Sequence, residues 1–368
     1  MRALSPYGVL LLLALPALLG PANGGFTSVD VFVSGQDGYH TYRIPAIVRT
    51  TKGTLLAFCE GRKNNSRDWG DIDVLLKRSA DGGRTWSTTS TVADFGADTI
   101  GNPAPVVDRR TRTVWLLLTR NPGDVSLKET LPGLAGATRT VWVTRSRDDG
   151  HTWTAPVEIT KAVKQPDWSW YATGPGNGIQ LRSGRLVIPC DHSRDGVDQR
   201  YSHVIYSDDG GDTWKIGGSA GPDCGESAVV ELADGSLMLN MRNHSGKKRR
   251  AVSISRDAGL TWSEPTCDEM LIEPVCQGSL IVFGQGGRRV LLFSNPAAVK
   301  RVNMTVRLSR DEGKSWSLSK TVHPGYSAYS NLVEVNRNTV GLLYERGNGA
   351  RSDRLTFARF PLGWLGEH

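Results

Sequence analysis

An all-β fold, a six-bladed β-propeller of four-stranded antiparallel blades, is the architecture this sequence predicts. Three observations carry that expectation. An octapeptide, Ser-x-Asp-x-Gly-x-(Thr/Ser)-Trp, returns five times; six pairs of apolar or β-branched runs flank short polar turns; and no long window shows helical periodicity.

The octapeptides occupy residues 79–86, 146–153, 207–214, 255–262 and 309–316. In each, Ser and Asp can bond turn amides, Gly permits a positive φ, and Trp can pack beneath the turn. They read as folding devices. The paired runs turn at Lys52-Gly53, Arg110-Thr111, Ser183-Gly184, Asp234-Gly235, Gln285-Gly286 and Arg337-Asn338, which makes six hairpins. One octapeptide follows each of the first five, so a blade is a hairpin, a third strand, the Asp-containing turn and a fourth strand. The last hairpin has no octapeptide of its own. An N-terminal strand around residues 28–33 is therefore expected to complete that blade and close the ring.

Residues 1–22 combine Arg2 with an apolar run over residues 9–19 and small residues at Gly20 and Ala22, the pattern of a cleavable export signal. Residues 23–368 then form one domain, and no other stretch approaches the length of a membrane span. The formal charge is +7, from 44 Lys and Arg against 37 Asp and Glu. Its basic residues are scattered, except for Lys247-Lys248-Arg249-Arg250, which reads as a solvated loop, so no nucleic-acid partner is indicated. Five cysteines stand at 59, 190, 224, 267 and 276, an odd number; Cys267 and Cys276 are close enough in sequence to bond. No CxxC spacing or His cluster suggests a metal, and no cofactor is implied. Asn64, Asn243 and Asn303 lie in glycosylation sequons.

The turns all fall at one end of the strands, so the opposite end is the loop-rich face where a ligand would bind. Symmetric pairing about each turn sets Arg43 opposite Arg62, Glu226 opposite Asn243 beside Arg242, and Tyr329 opposite Arg346 beside Glu345. Asp68 sits in the loop after the first hairpin, and Arg301 opens a third strand. Four arginines beside one mouth suit planar, bidentate capture of a carboxylate. A phenol is a poor nucleophile until a base takes its proton, which a Glu226 within reach of Tyr329 could do. Asp68 is free to act as a general acid. Asn102, Trp168 and Tyr171 are further candidates on this face, the two aromatics either walling a pocket or belonging to the core.

These residues resemble the exo-α-sialidases (neuraminidases) of bacterial and animal type, from about Asp30 to Phe360. Tyr42-Arg43-Ile44-Pro45 is similar to that family's Tyr/Phe-Arg-Ile-Pro signature, and the octapeptides to its Asp boxes. The resemblance implies that Arg43, Arg242 and Arg301 bind the sialic acid carboxylate, that Arg62 also contacts substrate, and that Glu345 steadies Arg43. It implies Asp68 as acid/base, Tyr329 as nucleophile and Glu226 as its base, acting on sialylated glycans. It leaves open transfer instead of hydrolysis, a preference for deaminated or glycolyl sugars, and a propeller that binds sialosides without cleaving them.

Overall fold

A computed structural model describes residues 25–194, 199–348 and 352–366. The expected export signal lies outside the described residues. The described strands form four sheets, antiparallel except for one bridge between Ile72 and Thr99. All six expected hairpins are present as strand pairs. The expected N-terminal strand is Thr27–Val33, and it pairs with Arg354–Pro361. Asp30 locks that pairing by accepting bonds from Arg346, Arg354 and Thr356 at 3.0, 3.0 and 2.6 Å. The 19-residue strand Leu318–Asn336 serves twice: its first half pairs with Val302–Ser309 and its second with Thr339–Gly347.

Central strands are buried on both faces, which explains their near-continuous apolar runs: every residue of Leu55–Arg62 is buried. Outer strands are more open: Thr266–Ile272 has one buried residue, the other six being exposed or half-buried. The core is divided into layers between successive meanders. Leu56 and Phe58 pack with Leu116 and Leu118, and Trp115 packs with Ile188 and Trp214. Leu355 and Phe357, near the C-terminus, pack with Leu55 and Leu75 near the N-terminus.

All five octapeptides have one geometry. In the first, Ser79 Oγ donates to Asp81 Oδ1 at 2.8 Å and accepts from the Gly83 amide at 2.8 Å. Asp81 also accepts from the Thr85 amide and hydroxyl at 3.0 and 2.7 Å. Gly83 has φ 84°, and a Cβ there would lie 2.0 Å from a Phe357 ring carbon. The equivalent glycine of the second box, Gly150, abuts Leu56, and that of the third, Gly211, abuts Trp115. Each box thus docks on the meander before it, and the first box docks on the last meander.

Two sequence expectations fail here. Lys247-Lys248-Arg249-Arg250 is not a solvated loop throughout: Arg250 lies in the strand Arg249–Ser255, is fully buried, and pairs with Glu273 at 2.8 Å. The Cys267–Cys276 bridge is not formed; both thiols are free. Cys267 is on an outer strand, whereas Cys276 is buried in a small cluster with Ile44, Ala328 and Tyr329.

Candidate active site

The expected symmetric pairing is also wrong, in a way that builds the site. Thr41–Arg49 carries two residues, Ile44 and Pro45, between pairs where its partner carries one. The same one-residue bulge places Asn102-Pro103, Ser169-Trp170, Gly225-Glu226 and Ala328-Tyr329 out of register on four other first strands. A bulge bends the strand and re-aims its side chains, and bulges concentrate beside active sites. Arg43 therefore faces Glu60, not Arg62, and Arg62 faces Thr41. Asn243 pairs with Cys224 and Arg346 with Ser327, which leaves Glu226 and Tyr329 on the bulges. Ile44 and Asn102 take positive φ, 60° and 52°, at two of these kinks.

The bulges bring the pointed residues together. The Tyr329 hydroxyl donates to Glu226 Oε1, while Arg242 Nη1 donates to Glu226 Oε2 at 2.8 Å and to the Tyr329 oxygen at 3.3 Å. Guanidinium carbons of Arg43 and Arg301 stand 5.1 and 5.7 Å from the centre of the Tyr329 ring. The phenol is thus ringed by three arginines and one carboxylate. Burial, and then the Glu226 charge, push the Tyr329 phenol well above its ordinary value against Arg242 and Arg43. Burial pushes Glu226 up as well, but Arg242, the Tyr329 hydroxyl and Arg301 outweigh it and hold the carboxyl below its ordinary value. The proton therefore rests on Tyr329 and the charge on Glu226.

Glu345, fully buried, holds Arg43 through both oxygens, Oε1 to Nε at 3.2 Å and Oε2 to Nη2 at 3.3 Å. It also accepts from the Ile44 amide at 2.9 Å, fixing the bulge and the arginine together. Arg62, 2% exposed, is held by Glu60 at 2.7 Å and by the Ser66 carbonyl at 2.8 Å. Asp68, at 64% side-chain exposure, reaches Arg62 at 2.8 Å and Arg43 at 3.2 Å. Desolvation by the surrounding protein raises its carboxyl, but Arg62 and Arg43 outweigh that and lower it, so it is an ion-paired carboxylate in the free site.

Asn102 lies at the edge of this group: its amide donates to Glu60 Oε1 at 3.0 Å and its Oδ1 accepts from Thr119 at 3.0 Å. Trp168 and Tyr171 are core residues. Trp168 is 3% exposed and stacks on His192 at 3.6 Å, and Tyr171 is fully buried. The half-buried aromatic here is Trp170, on the bulge between them. Sequence reasoning missed Glu60, although it stands two residues before Arg62 on one strand and so shares its face. It also missed Asp191, which burial and the Glu226 charge push up to about 7, and which bonds Trp170 Nε1 at 3.1 Å. Among the described residues no group of three His, Cys, Asp or Glu side chains could hold a metal, and no helix is long and apolar enough to cross a membrane.

Residues 53–342 match the model of the BNR repeat-like domain. A sialidase of Bacteroides fragilis is 36% identical over 342 residues, covering 86% of this chain and 62% of its own length. An exo-alpha-sialidase of Arthroderma benhamiae is 33% identical, covering 95% of this chain and 89% of its own. Among solved structures, the Hadza microbial sialidase Hz136 is 35% identical with a TM-score of 0.86, covering 92% of this chain and 69% of that one. The chain thus spans less than two thirds of the bacterial relative's length but nearly all of the fungal one's. On these matches, and with its bulged strands carrying the residues expected of such proteins, the chain belongs to the sialidase family of BNR-repeat proteins.

Proposed function

We propose that this chain is a retaining exo-α-sialidase that releases terminal α-linked sialic acids from glycoconjugates through a tyrosyl intermediate. The observation that carries the reading is the Tyr329 hydroxyl bonded to Glu226 and ringed by Arg43, Arg242 and Arg301. Sialidases are glycoside hydrolases in which tyrosine stands where a nucleophilic carboxylate is usual. A neutral nucleophile approaches an anionic sugar without charge repulsion. Arg43, Arg242 and Arg301 take the substrate carboxylate. That carboxylate competes with Asp68 for Arg43, and once the pair loosens Asp68 can hold a proton.

Tyr329 Oη then bonds to the anomeric carbon as its proton passes to Glu226. The glycosidic bond breaks, and its oxygen takes the proton from Asp68. In the second half Asp68 removes a proton from water, the water oxygen bonds to the anomeric carbon, and Tyr329 leaves with the proton held by Glu226. The fixed arginines position the carboxylate through both steps.

The scaffold for this chemistry is a six-bladed propeller formed by residues 23–368 as one domain. The box-to-preceding-meander docking and the apolar layer joining Leu355 and Phe357 to Leu55 and Leu75 support a closed ring. Residues 1–22 direct export of the chain.

Release of a fluorophore from a synthetic α-sialoside, and of sialic acid from sialyllactose, tests the reading beside Asp68→Ala. Wild type should cleave both, and the variant should lose about 10²–10⁴-fold on sialyllactose, whose leaving group needs the proton. Sialoside binding without release would make the protein a lectin.

A further inference from the structure

One buried cation near the mouth has no role in the steps above. Arg139 is 2% exposed, and its guanidinium carbon lies 3.9 Å from the centre of the Trp170 ring. Other buried arginines are matched to carboxylates, Arg62 to Glu60 and Arg250 to Glu273, as is the half-buried Arg43 to Glu345. The Arg139 guanidinium makes no hydrogen bond or ion pair among the described residues, and its Nε is enclosed without a partner. A guanidinium offers five N–H donors and no acceptor, and leaving such a group buried and unpaired is costly.

The surroundings hold it in that state. Lys164 Nζ donates to the Arg139 carbonyl at 2.8 Å, to the Ser169 carbonyl at 3.2 Å and to Thr138 Oγ1 at 2.5 Å. One ammonium thus ties the segment carrying the guanidinium to the segment carrying the indole. Trp170 is fixed in turn by its bulge and by Asp191. Arg139 is close enough for its charge to act on Asp68 and for Glu60 and Asp191 to act on it, so it borders the site on the side of Asp68 and Glu60. It remains charged at neutral pH, since burial lowers it only to about 10.

The geometry points to Arg139 as a substrate-contacting, specificity-determining residue. Pressed against Trp170, its free N–H groups receive an oxygen substituent of the acidic sugar, a hydroxyl or an amide carbonyl, away from the Arg43–Arg242–Arg301 triad. This inference rests on the sialidase reading of the site. A donor-only fork is satisfied by oxygen lone pairs and left unpaired by an apolar group, and sites of that kind discriminate strongly against the analogue lacking the oxygen.

The test is kcat/KM for wild type and Arg139→Met on α-sialosides sharing one leaving group and differing at one substituent. The panel carries acetamido, hydroxyl or hydrogen at C5, and separately lacks the oxygen at C4, C7, C8 or C9. Wild type should lose about 10- to 100-fold on the one analogue without the matched oxygen. Arg139→Met should lose a similar factor on the parent sugar and no longer distinguish that analogue. The arm that responds identifies the oxygen. Arg139→Lys, which keeps the charge without the fork, should fall between them, and it decides the matter if Arg139→Met does not fold. The inference is overturned if Arg139→Met keeps the parent kcat/KM within about threefold, or if it loses activity while every ratio across the panel stays as in wild type. A wild type that cleaves no member breaks the sialidase reading instead; calorimetric binding of the same free sugars then decides Arg139 by the same comparison.

Discussion

At the turn end of the strands, Asp81 finds its partners two to four residues away, in Ser79, Arg84 and Thr85. At the mouth, Arg43 reaches a glutamate 302 residues away, and Tyr329 one that is 103 away. The carboxylates of the turns are also self-satisfied, every Asp oxygen being met within the octapeptide. At the mouth the polar groups are met only across distant segments, and Arg242 Nε is enclosed without a partner. Local, saturated chemistry suits a device used five times for folding. Distant, unsaturated chemistry suits a site that must be assembled and then filled. If that contrast is right, substitutions at the two ends should separate stability from turnover.

The largest effect belongs to the mouth. Tyr329→Phe should lower kcat on a sialoside by about 10³-fold or more while leaving thermal unfolding unchanged, because a 6%-exposed ring is retained and only its hydroxyl is lost. Near-normal turnover would remove Tyr329 from the chemistry. The reverse pattern is expected at the turns. Trp214→Ala should cost about 3–5 kcal/mol by denaturant unfolding, since that indole is 4% exposed among Trp115 and Ile188. The folded fraction should keep wild-type KM and kcat. Trp86 is only half-buried, and its substitution should cost less.

A smaller effect probes the boundary between the two regimes. Burial and the Arg139 charge press Lys164 down to about 7, so its folded value lies below the unfolded value near 10.5. The unfolded chain then binds the extra proton between about pH 7 and 10, and stability rises with pH across that window. Wild type should gain up to about 1.4 kcal/mol per pH unit there relative to Lys164→Met, a difference read from unfolding at pH 7, 8 and 9. A parallel pH dependence in the two proteins would show that Lys164 stays charged. The smallest effect is at a single turn. Bonds from the Ser315 hydroxyl and amide hold Asp311 at about 2, and this support is present at neutral pH and lost as pH falls through that value. Asp311→Asn should lower Tm by about 1–2 °C at pH 7, with the difference closing near pH 2.

The same contrast explains what could be read in advance. Box, hairpin and closing strand were legible because each depends on residues a few positions apart or on alternation along one run. Register was not. The turns fix pairing only near themselves, and the five bulges arise where first strands kink toward the mouth, which no residue spacing announces. Arg43, Glu226 and Tyr329 were placed at the right end for partly the wrong reason. Arg139 and Lys164 gave no signal, since neither lies in a repeat and each is defined by a neighbour from another segment.

The pairing of Thr27–Val33 with Arg354–Pro361 sets an order of events during synthesis. At about 5–20 residues per second, the first strand waits roughly 16 to 66 s for its neighbour to emerge. Through that interval it is an open strand edge, the kind of surface that recruits other chains. Glu345 lies on the strand beside Arg354–Pro361, so the grip on Arg43 also forms late. The mouth is then assembled only after these late strands emerge, and no shorter nascent chain holds Arg43 through Glu345.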